Sequence, residues 1–264
     1  IFKQNFNSIL ILSGLSNDPM ANLSPDLNFK HNNYAISNLL FLLSKSKVKK
    51  VIFGSSCSVY GDTGGKRVTE NDEVKVEYPY GISKFLIDKY IELLNKNHLT
   101  TSFYSLRQGT VSGFGPRMRF DLVINKMVKD ALLYKQINTI DKNIWRPILD
   151  INDACNIYDK IINNNIPRGI YNLYSYNITV DEIAEKIKNY FSKMNISINI
   201  KRNLKIKEKR NYKVSRVKIN RYFKYKYRNV DQTIDDIYQN IYKFKDLDSD
   251  KYLNVTYFKK KFKV

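Results

Sequence analysis

The sequence predicts an α/β fold organised around a parallel sheet, and three observations predict it. Short apolar runs alternate with segments of helical period through the first half, the pattern of strands joined by helical crossovers. No internal repeat and no long Gly/Ser/Pro linker interrupts the chain, so a second region should pack on the first instead of being tethered to it. The 264 residues are 43% hydrophobic, enough to bury one large core or two modest ones.

Residues 8–13 form a continuous apolar run that ends at Gly14, the signature of a buried strand followed by a loop. Residues 32–44 carry leucines and an isoleucine at helical intervals. Residues 48–54 read as a second strand, running into Ser55, Ser56, Cys57 and Ser58. The polar, glycine-containing stretch 62–77 reads as a loop. Pro79 can open a helix reaching residue 95, with Phe85, Ile87, Ile91 and Leu94 available for packing. Residues 101–106 form a third strand that leads into Arg107, Gln108, Gly109 and Thr110.

Beyond Pro116 the character changes. Helices are expected at 122–134, 153–163 and 180–191, the last capped by Thr179 with Asp181 and Glu182 in its first turn. Strands are expected at 137–140, 169–173 and 196–200, and helical segments near Val217 and Thr233. The division that follows places one domain at 1–117 and a smaller lobe at 118–264, with 146–173 partly returning to the first.

The formal charge of +20 raises a nucleic-acid reading, because a basic face collects phosphates. The lysines are scattered, however, and accompany abundant Asn, Ile and Tyr. The densest runs, 201–213, 218–228 and 259–261, suit an anionic ligand or a solubilising surface, and no nucleic-acid motif accompanies them. No apolar stretch approaches the roughly 20 residues that span a bilayer. Two cysteines, Cys57 and Cys155, suggest a reducing compartment without a disulfide framework, and the chain reads as cytoplasmic. No metal site is expected.

Tyr80 and Lys84 are the most informative pair. At i, i+4 on a helix the phenol and the ammonium share one face. A cation beside the phenol favours the phenolate, so the Tyr80 pKa is expected below its usual value of about 10. A pair of serines, Ser55 and Ser56, lies upstream at a strand end, and geometry must decide between them and Ser58.

With these residues in place, the chain resembles the extended short-chain dehydrogenase/reductase family, in its nucleotide-sugar epimerase and dehydratase branch. The resemblance rests on seven runs in order: 12–19, Asn32 ahead of Leu39-Leu40, 55–61, 80–84, Arg107 with 113–116, 145–147 with Asp153, and Tyr171-Asn172. It implies a Rossmann-type doubly wound sheet and a smaller substrate lobe. It further implies an NAD(P)-dependent epimerase or oxidoreductase that passes a nucleotide-diphosphate sugar through a 4-keto intermediate, in polysaccharide or glycoconjugate synthesis. Tyr80 is then the acid/base, Lys84 the residue that holds the nicotinamide ribose, and Ser56 the hydrogen-bond partner of the reacting oxygen. Ser13, Gly14 and Ser55 join Tyr80 and Lys84 on the cofactor, while Arg119, Asn125, Arg146 and Arg210 face the substrate. Residues 17–19 are expected to shape a turn. The resemblance allows a homodimer.

The family's glycine-rich strand-turn-helix has no counterpart here, so the chain is expected to be N-terminally truncated, starting near the family's fourth strand and leaving one sheet edge exposed. A fragment, complementation by another polypeptide, and a decayed homologue remain alternatives. In dehydratases of this branch an Asp-Glu pair follows the serine; here Cys57 and Ser58 stand in those places, which disfavours 4,6-dehydration. The alternative from another class is a non-catalytic protein that binds a sugar nucleotide or a polyanion.

Overall fold

The computed structural model describes residues 5–97, 100–140, 143–203 and 210–262. Its strands are β1 (Ser8–Ile11), β2 (Lys50–Ser56), β3 (Arg67–Val68), β4 (Ser102–Gln108), β5 (Thr110–Ser112), β6 (Gln136–Thr139), β7 (Trp145–Asp150), β8 (Gly169–Leu173), β9 (Tyr176–Thr179), β10 (Asn199–Arg202) and β11 (Lys213–Val214). Its helices are α1 (Asp18–Leu23), α2 (Pro25–Phe29), α3 (Ala35–Ser44), α4 (Pro79–Asn97), α5 (Val123–Tyr134), α6 (Ile151–Asn163), α7 (Val180–Ser192), α8 (Val217–Asn220), α9 (Val230–Ile241) and α10 (Asn254–Phe262).

The central sheet is parallel throughout, in the order β1-β2-β4-β8. Both faces of β2 are buried, which is why Val51, Ile52 and Phe53 follow one another without polar alternation. Val51 and Phe53 point to one face, where they pack with Phe103 against Ile87 and Ile91 of α4 and Leu40 of α3. Ile52 points to the other, where it joins Tyr104 and Leu106 against Ile157 and Ile161 of α6. Each such aliphatic side chain contributes about 1.5–3 kcal/mol on full burial. Helices on both faces make the sheet doubly wound, the architecture expected from the alternation.

A separate core lies beyond residue 117. Ile124 and Val128 of α5, Ile183, Ile187 and Phe191 of α7, and Ile234, Ile237 and Ile241 of α9 pack together there. Small sheets flank it: β5-β7-β9, β10-β6 and β11-β3. Thr179 caps α7 in a reciprocal capping box with Glu182, satisfying two backbone donors that the helix itself cannot.

Several elements differ from the sequence expectation. Residues 17–19 do not form a simple turn: Asn17 Oδ1 accepts from Met20 N at 2.9 Å and caps α1, with Pro19 in its first turn. A π-helical turn at Lys30–Tyr34 precedes α3, where an uninterrupted helix was expected from residue 32. Strands β5, β7 and β9 pass unnoticed in the sequence because they are short and their burial depends on one another. The basic run at 201–213 lies partly outside the described residues. Among the described residues β1 pairs only with β2, and Leu10 and Leu12 are 41% and 60% exposed.

Candidate active site

The parallel sheet and the second core meet at a cavity of about 880 Å³. It opens at the carboxyl ends of β1, β2 and β4, where parallel α/β sheets place ligands. Its floor is β2. Gly54 and Ser55 there are followed by Ser56, whose Oγ caps the short turn Cys57–Tyr60 by accepting from Ser58 N at 3.2 Å. Ser56 Oγ also receives the Ser58 hydroxyl at 2.8 Å. The Ser56 side chain also acts on the Tyr80 phenol, in the direction that favours its ionised form, which makes Ser56 the tyrosine's partner among the three serines. Ser55 lies on the other face of the strand, buried, and its Oγ has no hydrogen-bond partner.

Tyr80 and Lys84 project from the first turns of α4 and both line the cavity. Lys84 Nζ donates to Gly54 O at 2.8 Å and sits 5.7 Å from the Tyr80 ring centre. Burial lowers the Lys84 pKa from 10.5 to about 8, with the Asp88 carboxylate pulling the other way. Tyr80 corrects the sequence expectation. Its pKa is pushed up to about 12, not down, because desolvation dominates and the charge of Asp18 adds to it. The hydrogen bond from Ser56 and the charge of Arg119 act in the lowering direction but do not prevail. Lys84 gives one of its three donors to the Gly54 carbonyl, and its charge is not among those that act on the phenol.

Ser13 and Gly14 line the cavity, on the loop after β1. Gly14 has φ of +137°, and a Cβ there would lie 2.5 Å from Asn32 Oδ1. That close approach lets Asn32 clasp the loop. Its Oδ1 accepts from Leu15 N at 2.7 Å, and its Nδ2 donates to Leu15 O at 2.9 Å and Asn28 Oδ1 at 2.7 Å. Asn28 in turn donates to Pro79 O at 3.1 Å, and Asn33 to Ser83 O at 2.9 Å. The π-helical turn thus aims consecutive asparagines at the cavity loop and at α4.

Arg119, Arg146 and Arg210 all reach the cavity wall, from three separate segments. Arg119 grips Asp121 with two parallel bonds of 3.1 and 2.7 Å and donates to Ser16 Oγ at 3.3 Å. Arg146 donates to the backbone carbonyl of Arg210. Arg210 Nη1 binds Asp18 Oδ2 at 2.5 Å. Asn125 does not line the cavity: it is buried, and its Oδ1 accepts from Gly113 N at 3.1 Å, bracing the loop after β5. The resemblance places Asn125 with Arg119 at the substrate, but on α5 Asn125 shares the inward helix face with Ile124 and Val128.

Residues that sequence reasoning missed include Asp18, Gln108 and Tyr158. Gln108 Nε2 donates to the Tyr158 hydroxyl at 3.0 Å beside Gly54, and both line the cavity. Cys57 is fully buried with its thiol on Arg107 O at 3.0 Å, and burial pushes its pKa up, which makes it an inert packing residue. Cys155, on α6, is exposed on the cavity wall. Five cationic side chains line the cavity against three acidic ones. Among the described residues no helix is long and apolar enough to cross a membrane.

The NAD dependent epimerase/dehydratase family model matches residues 1–173. A UDP-glucose 4-epimerase of Mycoplasma genitalium is 30% identical over an alignment of 235 positions that covers 79% of this chain and 66% of that protein. An uncharacterized UDP-glucose epimerase of Bacillus subtilis is 32% identical over 107 residues, 40% of this chain and 33% of that one. The chain therefore spans about one third to two thirds of these relatives' lengths. Among solved structures, a UDP-glucuronic acid 4-epimerase from Bacillus cereus superposes with a TM-score of 0.77 at 19% identity, covering 90% of this chain and 76% of that one.

Proposed function

Because the chain belongs to the NAD dependent epimerase/dehydratase family, we propose that it is an NAD(P)-dependent nucleotide-sugar epimerase or oxidoreductase working through a 4-keto sugar. The observation that carries this reading is that Ser56, Tyr80 and Lys84 share one cavity with Arg119, Arg146 and Arg210. The excess of two cationic side chains in the lining matches the two charges of a diphosphate bridge, and arginine forks suit its oxygens.

The residues present fit the reactive end of a nicotinamide cofactor. The Ser55 hydroxyl is buried on the lining without a partner, and Ser13 and Gly14 line the same cavity on the loop after β1. When bound, that cofactor supplies the acceptor and donor of hydride. Lys84 holds the ribose, and Ser13 and Gly14 follow its edge. Tyr80, once it has given up its own proton, would take the proton of the sugar hydroxyl at its phenol oxygen, and Ser56, which acts to favour that ionised form, would steady the same oxygen. Cys57 and Ser58 add no carboxylate, which favours epimerisation or oxidoreduction over 4,6-dehydration. In this reading residues 1–117 serve mainly the cofactor and 118–264 mainly the substrate, in a cytoplasmic enzyme.

Replacing Tyr80 by Phe tests the proposal. Turnover of UDP-, GDP- and dTDP-sugars with NAD or NADP should fall by about 10²–10⁴, the contribution of a placed acid/base, while the circular dichroism spectrum is kept. Equal turnover in the variant would sink the assignment. Binding of sugar nucleotides with no turnover in the parent protein would instead support a non-catalytic binding role.

A further inference from the structure

Asn28 of α2 and Asn32 and Asn33 of the π-helical turn stand behind the cavity wall without lining it, all three buried. The proposed reaction gives them no task. Asn32 serves the loop at Leu15, whereas Asn28 and Asn33 turn to α4. Asn28 Nδ2 donates to Pro79 O at 3.1 Å, and Asn33 Nδ2 donates to Ser83 O at 2.9 Å. The two carbonyls are one helical turn apart, and the residues that follow them are Tyr80 and Lys84. A carbonyl this far from a helix C-terminus already receives an intrahelical N–H. Neither side-chain amide is therefore needed to satisfy it.

We propose that Asn28 and Asn33 are positioning residues that fix the roll of α4 about its axis and so aim the Tyr80 phenol into the cavity. The inference rests on the nucleotide-sugar reading, in which that phenol is the acid/base. A helix held at one carbonyl can still roll; one held at two carbonyls a turn apart cannot. Positions 79 and 83 form one row along α4, and positions 80 and 84 form the row beside it. The holding groups are themselves fixed. Asn28 Oδ1 accepts from Asn32 Nδ2 at 2.7 Å, and Asn32 Oδ1 accepts from Leu15 N at 2.7 Å, beside Ser13 and Gly14. Asparagine suits the task because one amide both donates and accepts. At the roughly 6 Å radius of a helix with its side chains, a roll of about 10° moves a side-chain tip by about 1 Å. A misplacement of that size can cost a reaction about 10²-fold.

Steady-state turnover of UDP-glucose, GDP-mannose and dTDP-glucose, with NAD or NADP saturating, tests the inference on the double variant Asn28→Ala with Asn33→Ala. Its kcat should fall about tenfold or more while KM for the sugar nucleotide stays within about threefold. The same pair of changes made in Tyr80→Phe should lower the residual turnover by less than about threefold, because the phenol they aim is gone. A merely structural role, which lowers the folded fraction, would reduce both backgrounds alike. If circular dichroism shows the double variant unfolded, Asn28→Ala and Asn33→Ala singly carry the same comparison, each with a kcat loss of about threefold or more against an unchanged Tyr80→Phe background. Equal losses in the two backgrounds, or an unaltered kcat, overturn the inference while leaving the enzyme reading in place. A parent that turns over none of the three sugar nucleotides overturns the enzyme reading and this inference with it.

Discussion

Asp88 Oδ2 accepts the Arg107 Nε–H at 2.8 Å in the interior, with the two side chains 0% and 2% exposed. The pair fastens the catalytic helix to the central sheet, because Asp88 follows Tyr80 and Lys84 at one-turn intervals along α4 while Arg107 belongs to β4. The remaining valences are filled. Ser105 Oγ donates to Asp88 Oδ1 at 2.5 Å, and Arg107 Nη1 donates to Tyr60 OH at 2.9 Å. Tyr60 donates onward to Asn172 Oδ1 at 2.7 Å, which reaches β8.

Removing one member of such a pair leaves the other charged and unpaired. Asp88→Ala should cost about 3–5 kcal/mol in urea unfolding. The double replacement Asp88→Leu with Arg107→Met should cost much less than the sum of the single changes. Additive losses would show that the pair is not coupled.

Lys84 makes stability depend on pH in a defined window. Its folded pKa of about 8 lies below the unfolded value of 10.5, so between these the unfolded chain holds a proton that the folded chain has lost. Stability therefore rises with pH across that interval. Above pH 9 the effect is opposed, since burial raises the Cys57 thiol from 9.0 and Tyr80 from 10.0, groups that the unfolded chain deprotonates first. Between pH 8 and 9 the parent should gain about 1 kcal/mol relative to Lys84→Met. Parallel pH profiles for the two proteins in chemical unfolding would refute the assignment.

The Ser56 hydroxyl works against the upward push on Tyr80. Removing it by Ser56→Ala takes away a lowering interaction, so the phenol should ionise at still higher pH. In the direction where Tyr80 accepts a proton, the rising limb of kcat/KM against pH should move to higher pH, with a loss of about tenfold or more at pH 8. A uniform loss at every pH, with the limb unmoved, would make Ser56 a binding residue only.

Tyr80, Lys84 and Ser56 were legible in the sequence because local geometry suffices for them: helical spacing aligns the first two, and a strand end presents the third. The parallel sheet was legible for a related reason, since short apolar runs, as at Val51, Ile52 and Phe53 of β2, alternate with segments of helical period. Asn125 came from the resemblance alone, which does not say which face of α5 meets the core. Asp18, Asn32 and Tyr158 gain their places through partners up to 192 residues away, as in the contact of Asp18 with Arg210. No local pattern encodes such a meeting. The direction of the Tyr80 shift was missed because sequence shows the neighbouring cation but not the dry environment, or the carbonyl to which that cation turns.

The hydroxyl of Ser16 receives both Arg119 and Asn254 Nδ2, the latter at 3.1 Å across 238 positions of sequence. Asn254 in turn accepts from Arg117 Nη1 at 2.8 Å, and Phe120 N donates to Tyr252 O at 3.1 Å. The cavity loop is thereby stitched to a helix that begins at Asn254. Synthesis must pass Asn254 before that loop acquires this support. The binding site is thus a late product of folding, although its acid/base residues lie in the first third of the sequence.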